Sequence, residues 1–301
     1  MNKQILRSPL FYVGDKYKLM EEIRAFFPDH IERFIEPFVG GGSVFMNTSA
    51  EQFCLNDIDR YIIKLHKHLC KAANKPALFF AKMEKIIKAY GLSYSYKEDI
   101  IPCDLKRQYK KTYFAKYNKA AFEQLRADFN KSPKDDMTIL YLLLIYGFNR
   151  MLRFNRYGDF NLPVGNVDFN SNVALALINY FQEVKDKKPK WYILDYKAFL
   201  KKIKPTEQDF VYLDPPYLIT FSEYNKLWNE QDEKELLQLL DLLNEQNIRF
   251  AISNVTHYKG RQNDIFIDWS KKYKTHSIKS NYISYHDNSI KQFNEVLVTN
   301  Y

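Results

Sequence analysis

Two stretches of the chain alternate short apolar runs with amphipathic segments in a strand–helix–strand order. Residues 33–58 read as a strand, a run of three glycines, a short helix and a second strand, in the segments RFIEPFV, GGG, SVFMNTSA and QFCLND. Residues 208–254 repeat this order with VYL, the amphipathic segment EQDEKELLQLLDLLNEQ and IRFAISN. Units of this kind build a parallel sheet with helices on both faces, so the pattern predicts an α/β fold.

The segment between the two units has a different pattern. Residues 59–135 have helical periodicity and many Lys and Tyr residues. GFNRMLRFNRYGDFNLPVGN, at 147–166, is rich in Asn, Arg, Gly and aromatic residues, which is typical of an exposed functional hairpin or loop. We therefore predict an α/β domain made of residues 1–58 and 172–301, interrupted by a mainly helical domain at 59–171.

Composition adds a bias toward an anionic partner. The 301 residues are 46% hydrophobic and 16% aromatic, which is enough for a sizeable core. Lys and Arg total 45 against 36 Asp and Glu, and the resulting net charge of +9 suits a polyanion such as nucleic acid. Three cysteines without a CxxC pair predict a reducing compartment and no structural zinc site.

Membrane and metal sites are not predicted. The N-terminal residues lack the apolar stretch of a signal peptide, and MTILYLLLIYGF (137–148) is too short to cross a bilayer and reads as a buried helix. His66 and His68 are two residues apart and cannot share one helical face, so we expect packed or solvated imidazoles and no metal. These features predict a soluble, cytoplasmic protein.

The three glycines of FIEPFVGGGSVF follow a predicted strand. Gly40, Gly41 and Gly42 have no side chains, so a ligand could approach the backbone at the carboxyl end of the strand. The spacing is neither GxGxxG nor a P-loop, and a purely structural turn is the alternative. Asp57 ends the next strand, where an acid binds ribose hydroxyls, although it is equally well placed to cap the helix that follows. The turn and the acid together favour a ligand that contains adenosine.

FVYLDPPYLIT carries the most specific motif. Pro215 and Pro216 have no N–H and a fixed φ, so they end the strand and constrain the residues before them. The Asp214 carboxylate and the Pro215 carbonyl are two acceptors, and Tyr217 adds a flat ring. This set suits a planar aromatic amine, with each acceptor taking one N–H and the ring stacking on its face. An acidic turn that merely breaks a strand is the alternative.

Four motifs in this order resemble the Dam family of S-adenosylmethionine-dependent DNA adenine-N6 methyltransferases. They are GDK (14–16), EPFVGGG (36–42), LND (55–57) and DPPY (214–217), in the order of the alpha group, and residues 209–255 are similar to the T-even phage branch. The resemblance implies a Rossmann-like class I methyltransferase sheet with helices on both faces, interrupted by a mainly helical DNA-recognition insert with a β-hairpin. It also implies S-adenosylmethionine as cofactor, S-adenosylhomocysteine as product and double-stranded DNA as partner.

The resemblance assigns roles to residues that match the family motifs. The implied catalytic residues are Asp214, Pro215, Pro216 and Tyr217. The implied cofactor-binding residues are Tyr12, Gly14, Lys16, Glu36, Pro37, Phe38, Gly40, Gly41, Gly42, Asp57, Tyr196 and Asp214. The implied DNA-binding residues of the hairpin are Asn149, Arg150, Arg153, Asn155, Arg156, Asn161 and Pro163. Arg153 is expected either to bond a guanine edge in two places or to hold a phosphate.

Two departures bear on the target sequence. Phe11 stands where some cellular members have lysine, and Val164 and Gly165 lead into NVDFN where basic residues are common. GATC or a related site is the expectation. Cytosine-N4 or protein-glutamine methylation and a catalytically idle DNA-binding protein are the rival functions. A separate restriction endonuclease is a candidate partner, and a monomer is expected, with a dimer on DNA as the alternative.

Overall fold

The computed structural model describes residues 4–220, 228–278 and 293–301 of the chain. The strands are β1 Arg33–Glu36, β2 Gln52–Asn56, β3 Lys190–Tyr192, β4 Phe210–Leu213, β5 Arg249–Tyr258, β6 Arg261–Gln262, β7 Lys274–Ile278 and β8 Phe293–Thr299. The α-helices are α1 Met20–Arg24, α2 Ser43–Asn47, α3 Arg60–Ala72, α4 Pro76–Tyr90, α5 Cys103–Tyr109, α6 Tyr113–Lys131, α7 Met137–Tyr146, α8 Ser171–Lys187, α9 Tyr196–Ile203, α10 Glu230–Glu245 and α11 Asp264–Ser270. Short 3₁₀ turns cover Tyr17–Leu19 and Phe148–Arg150.

The strands of this part of the chain form one sheet in the order β3-β2-β1-β4-β5-β8-β7, and β6 pairs with β5 beside that path. The first five strands in this order run parallel, whereas β8 is antiparallel to both β5 and β7. From β1 the chain continues to β2 on one side, and from β4 it continues to β5 on the other. The gap between the carboxyl ends of β1 and β4 is therefore a topological switch point, where open α/β sheets bind ligands.

Both faces of the sheet are covered, as the sequence predicts. Phe210 and Tyr212 of β4 belong to one core cluster, and Val211 and Leu213 belong to the other. This alternation is the period-2 pattern of a strand, and a strand buried on both faces is apolar throughout. The predicted α/β fold with a mainly helical insert is thus confirmed.

The helices of the insert share a core with one face of the sheet. Buried residues of α3, α4, α6, α7 and α8 lie in the same cluster as Phe34 of β1 and Phe53 of β2. Because this hydrophobic core is continuous, packing gives no sharp boundary near residues 59 and 171. The division into two domains stays a prediction.

Local sequence explains where the main helices begin. The Asp136 side chain accepts hydrogen bonds from the backbone N–H groups of Thr138 and Ile139, and this capping starts the buried helix α7. A capping box between Asn229 and Asp232 starts α10. The periodic stretch at 105–129 is divided into α5 and α6 by Lys110, which has a φ of 16°. No helix in the described ranges is both long and apolar enough to cross a membrane.

Candidate active site

The DPPY motif and the glycine turn meet at the same edge of the sheet. Glu36 is the last residue of β1 and Leu213 is the last residue of β4, and these neighbouring strands run parallel. The glycines follow Glu36 after three residues, and Asp214 follows Leu213 directly. The sheet topology therefore brings the two strongest motifs of the sequence to the switch point.

Four polar side chains form a contact cluster at this edge, which we call the acid cluster: Lys16, Asp214, Tyr217 and Glu295. Lys16 Nζ lies 2.7 Å from Asp214 Oδ2 and 3.6 Å from Glu295 Oε1. The Tyr217 hydroxyl lies 2.9 Å from Asp214 Oδ1 and 3.0 Å from Glu295 Oε1. Lys16 Nζ also lies 5.2 Å from the centroid of the Tyr217 ring, a cation–π distance. The acid of the DPPY motif is thus fixed by a cation and a hydroxyl.

Burial shifts the acid–base properties of the groups around the acid cluster. It raises the pKa of Glu295, and the Asp214 carboxylate raises that pKa further while the Lys16 ammonium lowers it. Burial and the Asp214 charge raise the pKa of Glu36 well above its ordinary value. Burial raises the pKa of the Tyr217 hydroxyl in the same way, so this hydroxyl keeps its proton at neutral pH. One lysine therefore faces more carboxyl groups than it can neutralise.

The glycine turn is shaped so tightly that two of its residues have no room for a side chain. A Cβ on Gly42 would lie 2.4 Å from a Phe45 ring carbon, and Gly42 has a φ of 81°. A Cβ on Gly41 would lie 2.9 Å from the Cβ of Tyr12. The Ser8 hydroxyl donates to the Gly41 carbonyl, which ties the N-terminal segment to the turn. The close approach of the turn to Tyr12 explains why glycine is needed at Gly41.

The buried His66 ring contacts the glycine turn. Its Nε2 lies 2.9 Å from the Gly40 carbonyl oxygen, and its Nδ1 lies 2.9 Å from the Tyr180 hydroxyl. The ring stacks on Trp191 with 4.4 Å between the ring centroids. Burial lowers the pKa of His66 to about 4, so the imidazole is neutral. Of the two states that the sequence predicts for this histidine, packed or solvated, the structure shows the packed one.

Asp57 contacts the glycine turn instead of capping a helix. Its Oδ2 accepts a hydrogen bond of 2.9 Å from the Gly40 N–H, and its Oδ1 accepts one of 2.9 Å from the Asp59 N–H. Asp59 itself caps α3 by accepting from the Tyr61 N–H. The N-cap alternative for Asp57 is therefore wrong. Burial raises the pKa of Asp57 to about 6.

Three aromatic rings lie together beside this turn. The Phe38 ring centroid lies 5.4 Å from that of Tyr196 and 6.1 Å from that of Trp228, and the Tyr196 and Trp228 centroids are 6.0 Å apart. The Tyr196 hydroxyl is buried without a hydrogen-bond partner among the described residues. Glu233 accepts a 2.8 Å hydrogen bond from the Trp228 indole N–H, which fixes that ring. Such an arrangement can hold a flat heterocycle.

The segment at 147–165 is a hairpin, as predicted. Antiparallel bridges join Gly147 to Val164 and Phe154 to Phe160. The Arg153 guanidinium donates to the side-chain and backbone oxygens of Asn161 at 2.9 and 2.8 Å. These contacts preorganise Arg153 on the hairpin.

The other predicted DNA-binding residues divide between the hairpin and the N-terminal segment. The Asn155 side chain shapes the turn by accepting from the Tyr157 and Asp159 N–H groups, and Arg156 stacks on Tyr157. Arg150 lies instead 4.1 Å from the ring centroid of Phe11, next to Tyr12. The predicted residues with exposed surfaces are Asn149, Arg156, Asn161 and Pro163.

Sequence reasoning missed Glu295, Trp228 and Ser8. Glu295 is 2% exposed although it stands in the strand FNEVLVT, whose pattern gives a single glutamate no special status. Trp228 and Ser8 lie outside every motif. Each becomes part of the site only through contacts between distant segments.

The residues at the switch point fit S-adenosylmethionine. Asp57 offers carboxylate oxygens suited to ribose hydroxyls, and the rings of Phe38, Tyr196 and Trp228 suit an adenine. Glu36 Oε2 is buried without a hydrogen-bond partner among the described residues, so a polar group of a ligand would satisfy it. Within the same part of the chain, no group of three His, Cys, Asp or Glu side chains is arranged to hold a metal ion.

Comparison with known proteins identifies the family. Residues 12–283 match the D12 class N6 adenine-specific DNA methyltransferases, which covers most of the chain. The chain belongs to this family. This chain is 33% identical over 305 residues to the Type II methyltransferase M.FokI of Planomicrobium okeanokoites, covering 98% of this chain and 43% of that protein.

Two further relatives are covered by this chain to different extents. The D12 chain is 32% identical over 310 residues to the Modification methylase StsI of Streptococcus sanguinis, covering 99% of this chain and 43% of the relative. It is 27% identical over 281 residues to the DNA adenine methylase of Escherichia coli (strain K12), covering 91% of this chain and 87% of the relative. The chain thus spans less than half the length of the first two relatives.

Proposed function

We propose that this chain transfers a methyl group from S-adenosylmethionine to the exocyclic N6 of an adenine in a short duplex DNA site. One observation carries the proposal: Asp214 of the DPPY motif lies at the switch point beside the glycine turn, held by Lys16 at 2.7 Å. Membership of the D12 class supports adenine as the target base.

In this reaction the protein contributes the alignment of the reactants and hydrogen bonds to the target amine. When bound, S-adenosylmethionine supplies a methyl group on a positively charged sulfur, which keeps the electron pair of the broken bond and leaves as a neutral thioether. The adenine N6 forms the new bond to carbon and afterwards releases one proton to solvent water. The lone pair of N6 is delocalised into the ring, so acceptors that draw on its N–H bonds favour the pyramidal geometry needed for attack.

Asp214 and the Pro215 carbonyl are the acceptors that we assign to this amine. An ionised carboxylate has about four lone-pair sites, and the contacts with Lys16 and Tyr217 use one on each oxygen. Asp214 therefore keeps acceptor capacity for an N–H of the base. We assign Asp214 the role of an acceptor and electrostatic partner, fixed in place by its ion pair with Lys16.

The target amine is paired inside duplex DNA, so the base must leave the stack. Flipping costs on the order of a few kcal/mol. Stacking of the flipped base on an aromatic ring offsets roughly 1–3 kcal/mol of that cost, and we assign this role to Tyr217. The hairpin with Arg153 would read the site, and the +9 net charge would favour the DNA backbone. Binding should accordingly weaken as salt increases.

The remaining assignments extend this proposal. We assign cofactor contacts to Tyr12, Gly14, Lys16, Glu36, Pro37, Phe38, Gly40, Gly41, Gly42, Asp57, Tyr196 and Asp214. A separate restriction endonuclease of the same specificity is the partner that we propose, since relatives carry the names Type II methyltransferase and Modification methylase. We expect the enzyme to act in the cytoplasm, where cellular DNA is held.

Replacing Asp214 tests the proposed reaction. We expect Asp214→Ala to abolish methyl transfer to adenine-containing duplexes, while the other assigned contacts retain most of the cofactor binding. The substitution also removes the carboxylate closest to Lys16 Nζ, so it should lower folding stability. Asp214→Asn keeps the shape and serves as the matched variant. The assays are transfer of a labelled methyl group, calorimetric titration with cofactor and chemical unfolding.

The outcomes separate the function from its rivals. Near-normal turnover by a folded Asp214→Ala protein would exclude Asp214 as a catalytic acceptor. Absence of transfer by the wild-type chain on every adenine-containing duplex would favour a DNA-binding protein without catalysis. Digestion of the methylated DNA into nucleosides distinguishes N6-methyladenine from N4-methylcytosine.

A further inference from the structure

One hydroxyl proton in the acid cluster serves two carboxyl groups. The Tyr217 oxygen lies 2.9 Å from Asp214 Oδ1 and 3.0 Å from Glu295 Oε1. A phenol has a single O–H, and an ionised carboxylate only accepts hydrogen bonds. If both acids were ionised, the two carboxylates would have to share this single proton in a bifurcated hydrogen bond. The geometry is satisfied when one carboxyl group is protonated and donates to Tyr217.

The surroundings decide which acid carries this proton. Lys16 Nζ is 2.7 Å from Asp214 but 3.6 Å from Glu295, so the ammonium stabilises the ionised form of Asp214 more strongly. The side chain of Asp214 is 20% exposed and that of Glu295 is 2% exposed. Burial raises the pKa of Glu295, the Lys16 charge lowers it and the Asp214 charge raises it, and the net shift is upward. Both comparisons point to Glu295.

The charged and titratable groups around Glu295 agree with this assignment. Its polar neighbours are Lys16 of the N-terminal segment and two residues that follow β4, Asp214 and Tyr217. Its register partners in the adjoining strands are the apolar residues Val255 of β5 and Ile278 of β7. Two further groups, Glu36 and Tyr212, interact electrostatically with Asp214 and Lys16. Lys16 is thus the cation that lies beside Glu295, at 3.6 Å.

We propose that Glu295 is a positioning residue of the methyl transfer: as a neutral acid it donates to the Tyr217 oxygen, which directs the Tyr217 hydroxyl toward Asp214. In this arrangement each oxygen of Asp214 holds one protein donor, Tyr217 on one side and Lys16 on the other. Asp214 is then fixed with its remaining lone pairs available to the target amine. The inference rests on the proposed methyl transfer for its catalytic consequence.

Another buried glutamate in the same chain has a different set of hydrogen-bond partners. Glu233 accepts from the side-chain N–H groups of Asn254, Asn263 and Trp228 at 2.8, 3.0 and 2.8 Å. Burial raises the pKa of Glu233, and these three hydrogen bonds lower it. Glu233 therefore provides an internal comparison for Glu295, since both side chains are almost fully buried.

Substitution with glutamine tests the donor role of Glu295. The amide N–H₂ of Glu295→Gln can donate to Tyr217 as the neutral acid does, so kcat should stay within about threefold of the wild-type value. Glu295→Ala removes the donor, and kcat should fall about tenfold or more at nearly unchanged cofactor affinity. In a Tyr217→Phe background, Glu295→Ala should lower kcat no further. Equal damage by glutamine and alanine, or independent effects of the two sites, would overturn the proposal.

A pH profile gives a readout that a merely structural role would not change. The active form of Glu295 is protonated, so wild-type kcat should fall at alkaline pH as this acid ionises and competes for the Tyr217 proton. Glu295→Gln has no proton to lose and should lack that part of the decline. Identical alkaline limbs for the two proteins would contradict the inference.

Infrared spectroscopy tests the proton directly and does not depend on activity. The wild-type minus Glu295→Gln difference spectrum should contain the C=O stretch of a protonated carboxylic acid at neutral pH. The Glu233→Gln difference spectrum, recorded in the same way, serves as the comparison for a buried glutamate with three N–H donor partners. A carboxylate signal for Glu295 in a protein that methylates adenine would refute this inference and leave the proposed function standing. A protonated Glu295 in a protein without methyl transfer would refute the proposed function and leave the proton assignment standing.

Discussion

Substitution of Gly42 by alanine gives the sharpest test of how the glycine turn is built. Gly42 has a φ of 81°, in the left-handed region that side chains other than glycine disfavour. The added Cβ would lie 2.4 Å from Phe45 Cε1 and 3.0 Å from His66 Cε1. Both neighbours are fully buried, and His66 is held by hydrogen bonds to Gly40 and Tyr180, so neither has free space into which to move.

The magnitude follows from three contributions. A left-handed backbone costs a non-glycine residue about 1–2 kcal/mol. Forcing packed side chains from their positions costs about 1–3 kcal/mol. Alanine also restricts the unfolded chain, which offsets about 0.4–1 kcal/mol. We therefore expect Gly42→Ala to lower the free energy of unfolding by about 1–5 kcal/mol.

Gly40→Ala is the matched control. Gly40 also has a positive φ, of 46°, but its added Cβ would meet only Tyr12 Cδ1 at 3.7 Å, an ordinary contact distance. Gly40→Ala should have the cost of the left-handed backbone without the steric clash, so its free energy of unfolding should fall by about 1 kcal/mol or less. Urea unfolding of both variants gives the difference, which we expect to be about 1–3 kcal/mol. Equal destabilisation of the two proteins would refute the steric explanation.

Two further predictions concern the acid beside the turn and the hairpin. Burial raises the pKa of Asp57 from 3.8 to about 6, so its contribution to stability is present below pH 4 and is lost as pH rises through 6. Asp57→Asn should remove at most about 3 kcal/mol of this pH dependence, measured by unfolding at pH values on both sides of that range, and an unchanged dependence would contradict the assignment. Arg153→Ala should weaken discrimination between cognate and altered DNA sites more than it weakens nonspecific binding, measured by titration of labelled duplexes. Arg153→Lys, which keeps the charge but not the two-pronged geometry, should lose the same discrimination, whereas equal loss by Arg153→Ala on all sequences would identify a phosphate contact.

The strand and turn elements that carry the site could be predicted because their signals are local. Pro215 and Pro216 end β4 whatever surrounds them, since a residue without an N–H cannot continue a central strand. Phe210, Val211 and Tyr212 form an unbroken apolar run, which likewise predicts a strand buried on both faces. The helical periodicity at 105–129 predicted helical structure but not the break between α5 and α6. No glycine or proline marks this break at Lys110 in the sequence.

The role of Asp57 shows where local reasoning is insufficient. Two aspartates, Asp57 and Asp59, stand before α3, and the sequence does not say which one caps it. The sheet decides the matter: Asn56 ends β2 beside β1, so Asp57 meets the Gly40 N–H and Asp59 remains for the helix. Contacts between neighbouring strands are long-range in sequence, and a helix-capping preference cannot anticipate them.

The sequence by itself determined the α/β class, the glycine turn, the DPPY motif and the family resemblance, because each is written in contiguous residues. Only the tertiary structure joined Lys16, Asp214, Tyr217 and Glu295. Glu295 and Tyr217 are 78 residues apart, and they meet because β8 runs antiparallel beside β5 and directs a buried glutamate to the edge where β4 ends. The protonation of that glutamate depends on burial and on the distance to one ammonium group, and neither quantity exists before the chain has folded.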